Sequence, residues 1–160
     1  MDRDSDKRLR VGRTIIMLTS VFMMVASVVV GLNPLPGEEA EFCRVTFQEL
    51  ESSDPRMAQM IWHLNTAVVT MVFGASVLVF LLAWRSLSNR SILAWYAILT
   101  LNLTFISAQL IAHLPIFIKH GMHFNHWFLP FSIILLQSGG LAITKKPVFR
   151  RVDRVSRRDR

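Results

Sequence analysis

The chain has 160 residues, 52% of them apolar and only 18% charged, with 18 Lys/Arg against 11 Asp/Glu and a formal net charge of +7. An average soluble domain is about 25% charged, and this length fits a single domain. The charges are clustered, which leaves 14–37, 57–84, 91–118 and 120–144 free of Asp, Glu, Lys and Arg. A membrane-crossing helix needs about 20 apolar residues, and a soluble helix of such length would carry a charged face. The soluble classes are thereby excluded, and the pattern predicts an all-α membrane protein, a four-transmembrane-helix up-down bundle with both termini cytoplasmic.

In chain order, a basic tail (1–13) leads into a first span over about 14–32, which Asn33-Pro34-Leu35-Pro36-Gly37 ends. Its apolar run exceeds the roughly 7–15 residues of a signal-peptide core, and Asp2, Asp4 and Asp6 are foreign to a transit peptide. The expectation is an uncleaved first span in a plasma or bacterial inner membrane rather than an organellar one. An acidic outer loop (33–56) follows, with Glu38, Glu39, Glu41, Glu49, Glu51 and Asp54. Asp54-Pro55 reads as a helix start, Asp54 the N-cap and Pro55 the first helical residue. The second span covers about 57–84, a tight inner turn 86–89, and the third span about 91–114, where Pro115 weakens the helix. A short, histidine-rich connection (116–125) leads to the fourth span, about 124–144, with a kink expected at Pro130. A basic tail, 145–160, ends the sequence. Short connections between spans two, three and four imply antiparallel neighbours.

The charge distribution sets the topology. The two tails and the middle turn hold 15 of the 18 Lys/Arg, and the other two connections hold Arg44, Arg56 and Lys119. Basic segments stay on the cytoplasmic side, so 33–56 and 116–125 lie outside. Aromatic residues agree: Trp62 and Trp127 fall near outer span ends, and Trp84, Trp95 and Tyr96 near inner ones, as expected of rings at the headgroup layer. Trp62 and Trp84 are separated by roughly 33 Å of helix, close to the hydrocarbon thickness of about 30 Å.

Polar and small residues recur on one side of three spans: Ser20, Ser27 and Gly31; Gln59, His63, Thr70 and Gly74; Asn102, Gln109 and His113. Spacings of four and seven residues stack side chains on one helix face, and polar groups turned to lipid are costly. The intramembrane polar face of Gln59, Thr70, Asn102 and Gln109 is expected to point into the bundle, either as hydrogen-bonded packing between helices or as the lining of a ligand site. No ionisable Asp, Glu, Lys or Arg lies within a span, which argues against ion-coupled transport.

All five histidines fall on the predicted outer side: His63, His113, His120, His123 and His126. Imidazole is a common metal ligand. His63, His113 and His126, with His120 and His123 nearby, form a candidate site for copper or zinc, and His63 with His113 a candidate axial pair for haem. The plain alternative is histidines tolerated at headgroup depth. No H-E-x-x-H or C-x-x-C spacing adds support. Cys43 is the only cysteine, so no intramolecular disulfide forms. The basic C-terminal tail is read as a topology determinant rather than a specific nucleic-acid binder. The reading best supported is a small multi-pass membrane protein without enzymatic activity, a homo-oligomer or an accessory subunit of a larger membrane complex that acts through helix–helix contacts within the lipid bilayer. The rivals are a metal- or haem-binding redox protein and a protein that binds lipid or a small molecule within the bundle.

Overall fold

The computed structural model describes residues 3–32, 45–120 and 125–156, and their side chains except at 112–117, 119–120, 125–131 and 150–156. The described residues are almost entirely helical, with no strand among them. The helices are α1 (Arg3–Gly31), α2 (Phe47–Ser53), α3 (Pro55–Leu81), which widens into a π-helical segment (Leu82–Leu87), α4 (Ile92–His120) and α5 (Asn125–Ser156). Three stretches are long and apolar enough to cross a membrane: Arg3–Gly31, Pro55–Leu87 and Ile92–Ile111. The fourth expected span, 124–144, begins among residues whose side chains lie outside the described set, although its backbone is helical from Asn125.

Local chemistry accounts for the helix ends. Asp4 and Asp6 occupy the first turn of α1, where carboxylates complement the positive end of the helix dipole. Thr46 and Glu49 form a reciprocal capping box on α2: Glu49 N–H donates to Thr46 Oγ1 (3.2 Å) and Thr46 N–H donates to Glu49 Oε2 (2.8 Å). Asp54 closes α2 through its N–H to Leu50 O (2.7 Å) and opens α3 by accepting Met57 N–H at Oδ1 (3.1 Å). After the π-helical segment, Arg90 takes a left-handed conformation with φ 58°. Its N–H donates to Leu87 O (2.9 Å) and that of Ser91 to Ser86 O (3.1 Å), the paired bonds of a Schellman termination. Arginine replaces the usual glycine there, and its guanidinium is paired with Asp6 of α1. Ser91 then caps α4 by accepting Ala94 N–H (3.2 Å).

Two helices run further than the charge-free windows suggest. α1 begins at Arg3, inside the expected tail, because Ser5 and Leu9 are buried there. α5 continues through Lys145, Lys146 and Pro147 because Pro147 and Val148 are fully buried. α4 passes Pro115 and ends at His120; proline removes one backbone bond, a loss that membrane helices tolerate.

The chain divides into two compact units. Unit 1 comprises Met1–Ser20 and Leu78–Arg160. Its core joins Leu9 and Ile16 of α1, Val79, Ala83 and Leu87, Trp95 and Ile98 of α4, and Leu141 and Val148 of α5. Helices α1 and α5 meet at two glycines: a Cβ added to Gly12 would lie 2.5 Å from Gly140 O, and one added to Gly140 would lie 2.9 Å from Gly12 O. Trp95 is a core residue rather than part of a headgroup belt. It is 8% exposed, its indole N–H donates to Leu141 O (2.9 Å), and it packs edge-on against Tyr96 and Phe149 at 5.3 and 5.4 Å. Trp84 and Tyr96 are exposed.

Unit 2, Val21–Val77, pairs the second half of α1 with α3. Gly31 fits against Val69, Asn65 Nδ2 donates to Val30 O (3.3 Å), and Phe47 of α2 lies 6.1 Å from Trp62 of α3.

Candidate functional site

In unit 1 most of the interior polar groups hold one another or their own backbone. Thr19 and Ser20 hydroxyls donate to carbonyls on the preceding turn, Ser20 to Ile16 O at 2.7 Å. Ser20 is fully buried and accepts Gln137 Nε2 of α5 at 3.5 Å, the outer limit of such a bond. Thr144, also fully buried, donates to Leu141 O at 2.9 Å, the carbonyl that also accepts the Trp95 indole. Asn102 is 5% exposed, and its Nδ2 has no acceptor among the described residues. Gln109 is half-buried and partnered. Gln137, Gly140 and Thr144, three and four residues apart, carry in span four the same one-face spacing that marks the polar faces of the other spans.

Unit 2 presents a different surface. Along α3 the residues Gln59, His63, Thr66, Thr70 and Gly74 are all exposed. At 100° per residue they lie within about 80° of arc and extend over roughly 22 Å, so they form one continuous stripe. The single chain thus exposes Gln59 and Thr70 instead of turning them inward. Thr66 and Thr70 donate to Trp62 O (2.8 Å) and Thr66 O (2.7 Å), so their hydroxyl protons are satisfied within the helix while their oxygens remain available. Gln59 and His63 make no side-chain hydrogen bond among the described residues. A Cβ added to Gly74 would meet nothing within 4 Å, which leaves room for a close approach. Ser27 of α1 in the same unit is buried and bonds back to Met23 O (2.8 Å).

Of the candidate metal and haem ligands, only His63 has a described side chain, and it is exposed. His113, His120 and His126 lie on helical backbone, with side chains outside the described residues; His123 and Cys43 lie outside them altogether. Among the described residues, no three His, Cys, Asp or Glu side chains converge. Beyond the spans, the hydrogen bond from Thr46 N–H, followed by that from its hydroxyl, holds the Glu49 carboxyl below its ordinary pKa. The chain matches no protein-family model, no curated protein and no solved structure.

Proposed function

We propose that this protein is an interaction subunit of the membrane, which uses the α3 stripe to dock against a helix of another chain, in a homo-oligomer or a larger complex. The observation that carries this reading is the exposure of Gln59, His63, Thr66, Thr70 and Gly74 on one side of a helix apolar enough to span a bilayer. The hydrocarbon core offers the oxygens of Thr66 and Thr70 no hydrogen-bond partner, whereas a facing helix supplies donors at close range where Gly74 admits its backbone. Interhelical hydrogen bonds of this kind contribute about 0.6 kcal/mol on average and up to about 2, so several along one stripe suffice to bias association. Around the stripe, Leu64, Val68 and Met71 are exposed apolar residues suited to lipid.

Leucine substitution one position at a time over 59–74, read by native electrophoresis of complexes extracted from the host membrane, tests the reading. Loss of the complex at Gln59, Thr66, Thr70 and Gly74, with retention at Val68 and Met71 on the other side of the helix, is the expected pattern. Loss without helical periodicity, or none at any position, rejects it.

A further inference from the structure

Among the described residues, exposed cations gather in unit 1, where α1 and α5 cross at Gly12 and Gly140. Arg3, Lys7, Arg8 and Arg10 are exposed on the first turns of α1, Lys145 and Lys146 are exposed on α5 directly after Thr144, and Arg85 is exposed before the turn that leads to α4. A Cβ on Gly12 would lie 2.6 Å from Thr144 Cγ2, so the lysines of α5 and the cations of α1 belong to the same end of the unit. Asp6 pairs with Arg90, the one ion pair among the described residues, which leaves Asp4 as the single exposed acid of this collar among the described side chains.

A second observation points to a ligand. Arg13, next to the crossing glycine, is half-buried, and its Nε is buried with no acceptor among the described residues. It is the last charge before the apolar run of α1, so its guanidinium stands where hydrocarbon gives way to headgroups. A buried guanidinium donor without an acceptor is costly. The acceptors at that depth are lipid phosphates, which match the guanidinium fork. The exposed Trp84 and Tyr96 of the same unit suit that layer as well.

We infer that this collar binds the headgroups of anionic phospholipids, with a phosphate oxygen accepting from the terminal guanidinium N–H groups of half-buried Arg13 and the lysines of α5 neutralising the charge. Zwitterionic lipids also carry a phosphate, but their own cation cancels it. Among the described side chains, seven exposed cations against one exposed acid favour a lipid with net negative charge.

The test uses the full chain reconstituted in phosphatidylcholine vesicles that contain increasing brominated phosphatidylglycerol. Tryptophan quenching gives the affinity of phosphatidylglycerol relative to brominated phosphatidylcholine. The expected result is a several-fold preference for phosphatidylglycerol that collapses at about 1 M salt, where the Debye length is about 3 Å. Arg13→Gln combined with Lys145→Gln and Lys146→Gln is expected to lower the preference by about fivefold or more, while Arg56→Gln in unit 2 leaves it unchanged. Lys7→Gln with Arg8→Gln, both on exposed turns away from the core, repeats the test should the triple variant lose its helicity or its melting temperature in phosphatidylcholine. Equal affinity for the two lipids overturns the inference. So does a preference that survives both sets of substitutions, or that Arg56→Gln reduces as much. Displacement of phosphatidylglycerol by inorganic phosphate would make the collar a free-anion site, and displacement by an oligonucleotide would make it a nucleic-acid surface; either result also overturns the inference.

Discussion

Adjacent glycines on α5 make the packing of unit 1 open to a sharp test. A methyl group at position 140 would sit 2.8 Å from Ile16 Cγ1 and 2.9 Å from Gly12 O, whereas one at 139 would meet nothing within 4 Å. Comfortable carbon contacts begin at about 3.5 Å, so Gly140→Ala pushes α1 and α5 apart by several tenths of an ångström. Ile16 is fully buried, and Gly12 O is backbone, so neither can swing aside. Overpacking of this kind costs about 1–3 kcal/mol, set against a helix-propensity gain of up to about 1 kcal/mol for replacing glycine. The net effect is a loss of up to about 2 kcal/mol for Gly140→Ala, and a neutral or slightly favourable change for Gly139→Ala. Gly12→Ala, which would meet Gly140 O at 2.5 Å and Thr144 Cγ2 at 2.6 Å, is expected to be the worst of the three. For a chain of this size about 2–4 °C of melting temperature corresponds to each kcal/mol. Thermal unfolding in one detergent, followed by circular dichroism, should therefore separate Gly139→Ala from Gly140→Ala by several degrees. Equal melting temperatures, or a more stable Gly140→Ala, would refute the close crossing of α1 and α5.

Three further outcomes are expected. Cysteines placed at Ser52 and Ser88 in a Cys43→Ser background should differ in reaction with an impermeant maleimide on intact cells, position 52 reacting and 88 not; the reverse would invert the topology drawn from the Lys/Arg distribution. The lowered pKa of Glu49 means that the capping box stabilises α2 above the free-chain value of about 4.3 and is lost as pH falls through the lower folded value; an NMR titration of the Thr46 amide should show its midpoint below that value, and a midpoint at or above it would remove the ionised cap. Purified protein is expected to show no Soret band and no stoichiometric copper or zinc, and either signal would assign His63 and His113 to haem or metal instead.

Much of the helical plan was legible because charge is excluded from hydrocarbon, so the gaps between charges outline the spans. Those gaps report solvent rather than helix ends. The first turns of α1 and the last turns of α5 continue past them because Leu9, Pro147 and Val148 are buried against their neighbours, a tertiary effect that no window can reveal. Asp54-Pro55 was readable as a helix start because its chemistry is local. Thr46-x-x-Glu49 carried the same kind of local signal and went unread beside the acidic composition of its loop. Trp95 was misleading, since an aromatic near a span end fits a headgroup belt as well as a core, and its burial and its bond to Leu141 O separate the two. The polar stripe of α3 was visible in its spacing, but spacing cannot distinguish a face turned inward from one exposed on the single chain, and Gln59, Thr66 and Thr70 are exposed.

The central claim, that the α3 stripe meets another protein, is tested most directly by a photo-crosslinking amino acid placed at Thr70 and, in a separate sample, at Met71, with irradiation in the native membrane. Thr70 lies on the stripe and Met71, 73% exposed, lies about 100° round the helix from it. The account requires a discrete protein adduct from position 70, either a doubled mass or a defined partner, and none from 71, which faces lipid. Adducts of equal yield from both positions, or none from position 70, would contradict it.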